Sequence, residues 1–221
     1  MTSEQLVGFI GGTGPEGLGL GLRFALNGIK VVIGSRNIEN AELAVSKIKS
    51  KIPDGCISFG LNKEVAEKCD PVFIAVPYQA QKSTLEELKA VLKNKNVISV
   101  VAPLKFEKGI AMAEEVPAGS AALEASEILG ESAVASGFHN ISARDLLDPD
   151  ALIDSDVIVF SDNDECKSIT MDLAKLLNGV RVIDGGGLIN SRYTEDLTAL
   201  LLNINKTYKA HSAIRITGIK V

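Results

Sequence analysis

A short apolar run that breaks into glycines constrains this chain more than any other feature in it. Val7, Gly8, Phe9 and Ile10 lead into Gly11, Gly12, Thr13, Gly14, Pro15, Glu16 and Gly17. Gly12, Gly14 and Gly17 have the spacing G-x-G-x-x-G. The first glycine permits a tight turn and the second lets backbone approach a pyrophosphate. The third lets a helix pack closely on the strand, while the helix N-terminus offers free N–H groups and a positive dipole end. Strand before and helix after are the context that gives this motif meaning.

The second strand carries the other half of the signature. Residues 29–33 read Ile, Lys, Val, Val, Ile and end in Gly34, Ser35 and Arg36. A chain that binds NAD places an Asp or Glu here, to hold the ribose 2′-hydroxyl. This chain has a hydroxyl and a guanidinium instead. They suit a 2′-phosphate, which Arg can grip with two charge-assisted hydrogen bonds, so the cofactor read from these residues is NADP. The alternative is an Arg36 that is simply a solvated surface residue.

Composition limits the remaining choices. The 221 residues can bury a sizeable core, and 46% hydrophobic with 23% charged residues is an ordinary globular balance. The net charge of −5 and the lack of a basic tract argue against nucleic acid or an anionic membrane as partner. No apolar run approaches the ~20 residues of a membrane span, and no charged-then-apolar leader opens the chain, so a cytoplasmic protein is expected. Cys56, Cys69 and Cys166 are far apart and show no metal spacing. With His139 and His211 the only histidines, no metal site is expected.

Strand and helix signals alternate along the chain. Strands are expected at 6–12, 29–36, 56–60, 70–77 and 96–101. Helices are expected at 15–27, 37–51, 63–68 and 79–92, the first opening on Pro15 and Glu16 and stopping before Gly28. Repeated βα units imply an α/β fold, a Rossmann-type doubly wound parallel sheet, with ligands at the carboxyl ends of its strands. Those ends are the glycine turn, Ser35 with Arg36, Pro77 with Tyr78, and Pro103 with Leu104.

Later elements are a helix at 119–129, strands at 132–136, 156–161 and 180–184, a helix at 166–177 and a long helix at 190–208. Asp162, Asn163, Asp164 and Glu165 read as capping and dipole complement for the helix after them rather than as a metal cluster. The expected division is a cofactor domain over 1–148 and a small C-terminal α/β domain over 149–221.

The chain resembles the NADP-dependent oxidoreductases of the deazaflavin coenzyme F420, over nearly its whole length. The resemblance rests on the glycine turn, on Gly34, Ser35 and Arg36, on Val76 and Pro77, and on Phe138, His139, Asn140 and Ile141. It rests most specifically on the run from Asp184 to Arg192, with Leu197, Thr198, Leu202, Asn203 and Ile204 behind it. It implies hydride transfer between NADPH and the deazaflavin, in either direction. By the same resemblance Thr13, Gly14, Pro15 and Glu16 wrap the pyrophosphate, and Ser35 and Arg36 hold the 2′-phosphate. Tyr78, Leu104 and Ala143 wall the cofactor site. His139 and Ile141 lie where the two rings meet, and Arg192 and Thr198 lie on the deazaflavin side. Two positions depart from the family pattern. Asn40 stands where a basic residue can occur, and Asp196 where a small hydroxyl residue is expected.

Hydride transfer needs two flat rings stacked in a dry slot. Ile141 suits this as an apolar wedge. His139 either hydrogen-bonds a ring or is a structural histidine tied to backbone. Arg192 either pairs with an anionic ring or tail, or lies on the helix surface beside Glu195 and Asp196. Tyr78 is a stacking residue or a core aromatic. Gly185, Gly186 and Gly187 turn the chain, admit a flat ring, or do both. Beside the F420 oxidoreductase stand two other readings, an NADPH-dependent reductase of another small acceptor and a non-catalytic NADP-binding regulatory module. The apolar side of 197–204 is the expected contact of a homodimer.

Overall fold

The computed structural model describes residues 6–220. The strands are β1 (Leu6–Ile10), β2 (Lys30–Ser35), β3 (Ile57–Leu61), β4 (Val72–Ile74), β5 (Asn96–Ser99), β6 (Leu104–Glu107), β7 (Ile110–Ala113), β8 (Ala133–Ser136), β9 (Asp156–Ser161) and β10 (Arg181–Asp184). The α-helices are α1 (Pro15–Leu26), α2 (Ile38–Lys49), α3 (Asn62–Lys68), α4 (Tyr78–Leu92), α5 (Ala121–Leu129), α6 (Ala143–Leu146), α7 (Asp164–Ala174) and α8 (Ser191–Tyr208). A 3-10 turn, Leu188–Asn190, precedes α8.

Eight strands form one sheet in the order β10-β9-β8-β5-β4-β1-β2-β3. Its central strands are buried on both faces, so side-chain alternation divides the core in two. Val7, Phe9, Phe73 and Ile98 point to one face, with Phe24 of α1. Ile10, Val72, Ile74 and Val97 point to the other, with Leu85, Leu88 and Leu92 of α4. Phe9 stacks on Phe73 at 4.7 Å between ring centroids.

The expected parallel sheet holds from β8 across to β3, with one correction. β9 runs antiparallel to β8, and β10 runs parallel to β9. A parallel return needs a crossover that traverses the sheet. Between β8 and β9 the only helix is α6, four residues and about 6 Å long. The segment 137–155 therefore does not traverse the sheet. After His139 and Ile141 it packs on α1, where Arg23 donates to the carbonyls of Asp145, Leu146, Asp148 and Ala151, and the chain re-enters the sheet beside β8 in the opposite direction.

A second element was not legible in advance. β6 and β7 form an antiparallel hairpin whose turn residues Lys108 and Gly109 have φ of 49° and 77°. Positive φ at both turn positions matches the right-handed twist of paired strands. The side chain of Asn203 straps this hairpin to α8. Its Oδ1 accepts from the Ala111 N–H at 3.0 Å and its Nδ2 donates to the Ala111 carbonyl at 2.8 Å.

At the far edge Asp156 gathers the C-terminal tail. It takes two hydrogen bonds from Arg181, both 2.7 Å, and one from the Ile216 N–H at 2.6 Å. Those donors hold its carboxyl below the usual range although it is fully buried.

Candidate functional site: a cleft at the carboxyl edge of the sheet

The first wall is built from the glycine turn. Gly12 N–H donates to the Gly34 carbonyl at 3.0 Å, which pins the turn to the end of β2. Gly11 N–H donates to Asn62 Oδ1 at 3.0 Å, which pins it to the start of α3. A side chain at Gly17 would bring Cβ within 2.8 Å of the Gly12 Cα, so α1 can seat itself against β1 only without one. Helix α1 then begins at Pro15 with Gly14 as N-cap and no side-chain cap, and a Cβ built on Gly14 meets open space. Free N–H groups at the start of a 12-residue helix are what an anionic phosphate binds.

Ser35 closes β2 and its Oγ accepts the Asn37 N–H at 3.2 Å. Asn37 caps α2 by accepting the Asn40 N–H. Arg36, between them, is exposed and forms no ion pair among the described residues. Glu16 also faces the cleft. One of its oxygens, Oε1, is sealed from solvent without a partner, and burial pushes the acid up to about 8. It holds its proton to higher pH than a free carboxyl does, which lessens its repulsion of an anion.

The second wall comes from segments far away in sequence. Val100, Val101 and Ala102 follow β5, and Leu104 opens the hairpin. His139, Ile141 and Ala143 follow β8. Thr198 and Leu202 come from α8. Phe138, wholly buried and at φ 72°, turns its ring into the aromatic cluster with Phe24 and Phe73 while the next residues reach the cleft. Such a backbone angle is costly for a bulky residue and marks a place that its surroundings over-determine.

His139 is the central polar group of this wall. Thr198 Oγ1 donates to its carbonyl at 3.0 Å, and its Nδ1 faces Thr194 Oγ1 at 3.4 Å. Nε2 has no hydrogen bond within the protein. Burial lowers the imidazole to about 4, with the Val101 carbonyl pulling the other way, so the ring is neutral at physiological pH. Nε2 is itself sealed from solvent, so the ring backs the wall as a neutral group. Ile141 beside it is 6% exposed.

The two walls enclose a cavity of about 670 Å³, of the size that takes a small organic ligand. It brings together Thr13, Gly14, Pro15, Glu16, Gly17, Ser35, Arg36, Leu104, His139, Ile141, Ala143 and Thr198. Gly12 lies buried beneath the turn rather than in the cleft wall.

Two further expected site residues fall elsewhere. Tyr78 starts α4 and packs on the core, with its hydroxyl donating to Glu124 Oε1 at 3.3 Å. Arg192 is exposed, stacks over Tyr193 at 6.0 Å and lines a separate hollow with Glu115 and Asp196. Helical spacing explains the difference. Thr198 and Leu202 are four apart and share the cleft face, whereas Arg192 lies six before Thr198, on another face of α8. Glu195 does not pair with Arg192. It is buried, accepts the Ala121 and Ala122 N–H groups at 2.7 and 3.1 Å, and so caps α5. Gly185 turns the chain against Phe160, where a Cβ would come within 2.1 Å of the ring, and none of the three glycines lines the cleft. Among the described residues no group of three His, Cys, Asp or Glu side chains is placed to hold a metal.

Sequence reading missed Asn62, Thr84, Ala80 and Leu202 as cleft residues. Asn62 had a signal, as a polar residue at the carboxyl end of a strand. The others lie on helix faces whose orientation only packing decides.

Residues 6–103 match the family model described as NADP oxidoreductase, coenzyme F420-dependent. The chain is 39% identical to the F420-dependent NADP reductase of Methanocaldococcus jannaschii over 97% of its length and 99% of the relative's. It is 38% identical to the enzyme of that name from Methanothermobacter marburgensis, over 96% and 98%. An Arthrobacter sp. FB24 protein assigned as an F420-dependent NADP reductase shares the fold, with a TM-score of 0.77 at 21% identity over 94% of this chain and 96% of that one.

Proposed function

The chain belongs to the family of F420-dependent NADP reductases, and we infer that it moves a hydride between NADP(H) and coenzyme F420 within the cleft just described. The observation that carries this reading is the make-up of the two walls. One has uncapped helix N–H groups, a hydroxyl and a guanidinium, which suit a dinucleotide with a 2′-phosphate. The other has an apolar wedge and a neutral imidazole, which suit stacked rings.

When bound, NADP(H) supplies or accepts the hydride at its nicotinamide, and F420 is the partner substrate. The protein's work is placement. The α1 N-terminus and residues 13–17 hold the pyrophosphate. Ser35 and Arg36 hold the 2′-phosphate. Ile141 sets ring spacing and excludes water, and the neutral imidazole of His139 backs this wall without adding charge. Leu104, Ala143 and Thr198 form the remaining walls. Thr198 and Leu202 come from 149–221, which supports the reading that this part of the chain completes the deazaflavin side.

A homodimer and a cytoplasmic setting belong to the same reading. Leu200 of α8 and Phe106 of the hairpin are 55% and 66% exposed, which supports a partner copy at that end of the molecule. No described helix is long and apolar enough to cross a membrane.

Consumption of NADPH, followed with and without F420, tests the function. Turnover that requires F420 and falls sharply when NADH replaces NADPH is expected. Tight NADPH binding with no turnover on F420 would overturn the reading in favour of a regulatory module.

A further inference from the structure

Among the described residues Arg36 is the only cation on the wall of the cleft. A phosphate monoester carries about −1.5 to −2 charges at neutral pH, so a single guanidinium leaves much of a 2′-phosphate uncompensated. Asn40, next along the wall, brings no charge.

The cleft does not end at Arg36. It runs on into a second hollow of about 440 Å³, and the two share Ser35, Arg36, Asn62 and Thr84. The second hollow adds Lys63 and Glu87. Strand pairing explains why Lys63 is there. β2 and β3 run parallel with Ser35 opposite Leu61, so the residues just past both strand ends emerge side by side. Arg36 follows the first strand and Lys63 follows the second by two residues. Asn62 between them is fixed, since its Oδ1 accepts the Gly11 N–H and it is buried.

We propose that Lys63, which lines this shared hollow with Arg36, is a second cationic ligand of the adenosine 2′-phosphate and contributes to the preference for NADP(H) over NAD(H). The proposal rests on the NADP reading above. Lys63 makes no hydrogen bond or ion pair to any described residue, so its ammonium has no other partner to leave. The nearby carboxylates do not take it. Glu64 is turned back to accept the Leu61 N–H at 3.1 Å. Glu87 lines the same hollow without pairing to Lys63, and as an anion it opposes the phosphate, so the ammonium also screens it.

Lys63 is exposed, so solvent weakens its contribution toward the lower end of a charge-assisted hydrogen bond, roughly a tenfold effect on affinity. Calorimetric titration of the full-length chain with NADP⁺ and with NAD⁺, at two salt concentrations, tests the proposal. Lys63→Met is expected to weaken NADP⁺ binding about tenfold, to leave NAD⁺ binding unchanged and to flatten the salt dependence for NADP⁺. Lys63→Arg is expected to restore most of the loss. Thermal melts of both variants exclude a folding defect. A Lys63→Met protein that binds NADP⁺ as the parent does, or that loses both dinucleotides equally, overturns the role of Lys63. A parent protein that does not distinguish the two dinucleotides overturns the NADP reading itself, so the two failures are separable.

Discussion

Two titratable groups line the cleft, buried His139 and half-buried Glu16, and both are shifted toward the uncharged form. His139 is lowered to about 4 and Glu16 is raised to about 8. For Glu16 the folded protein keeps its proton to a higher pH than the unfolded chain does. Stability therefore falls as pH rises from about 4.5 to about 8, and no further above that. Glu16→Gln removes this loss. In urea melts the variant is expected to gain on the parent by about 1 kcal/mol or less per pH unit across that window. A difference that does not change between pH 5 and 8 would show that Glu16 ionises freely. The place of Arg36 on the cleft wall was legible from sequence because strand position assigns it. The protonation of Glu16 was not, because it depends on how tightly the turn closes over one carboxyl oxygen.

At the scale of elements, the strand–turn–helix unit was readable almost to the residue, because glycine spacing and strand hydrophobicity are local properties. Its weak point is Gly17. Gly17→Ala pushes a methyl into the Gly12 backbone, which cannot move aside as a side chain could. We expect a loss of about 1–3 kcal/mol in denaturant melts and weaker binding of both NADP⁺ and NAD⁺, since the pyrophosphate seat is common to them. Unchanged dinucleotide binding would mean that α1 can tilt away from the sheet without disturbing the seat. The β6–β7 hairpin was not readable. Its turn is Lys108 and Gly109 rather than an Asn-Gly pair, and its strands are only half covered, so neither turn chemistry nor alternation was strong. Asn203 explains its presence as a tertiary contact that propensity does not contain. The misplacement of Arg192 has the same origin. The helix was expected, but which face of α8 meets the cleft follows from Thr194 and Thr198 bonding to His139.

For the molecule as a whole, the parallel part of the sheet followed from βα alternation. The reversal at β9 did not, because it depends on segment 137–155 failing to cross the sheet. His139, Ile141 and Ala143 stand at the carboxyl edge beside the glycine turn because β8, which they follow, is itself parallel, whichever way β9 runs. The reversal creates an edge that the C-terminal tail must close, and Asp156 is the clasp. Asp156→Ala is expected to cost about 1–3 kcal/mol, because it removes the buried acceptor of the Ile216 N–H and of Arg181, whose guanidinium reaches solvent and keeps the Ile216 carbonyl. Hydrogen exchange should then rise first at Ile216. Its carboxyl is held low in the folded state, so the clasp's stabilisation is present above the ordinary carboxylate range and fades as pH falls through it. Unaltered exchange in the tail would show that the tail is held by other contacts.

The central claim is that the two walls bring two rings face to face, out of contact with water. Single-turnover transfer from NADPH deuterated at its transferable hydrogen to F420 tests it most directly. The label is expected on the reduced deazaflavin in full, with none washed out to solvent. Reduced deazaflavin that carries solvent hydrogen at that carbon would mean the rings do not meet in this cleft, and the account would be contradicted.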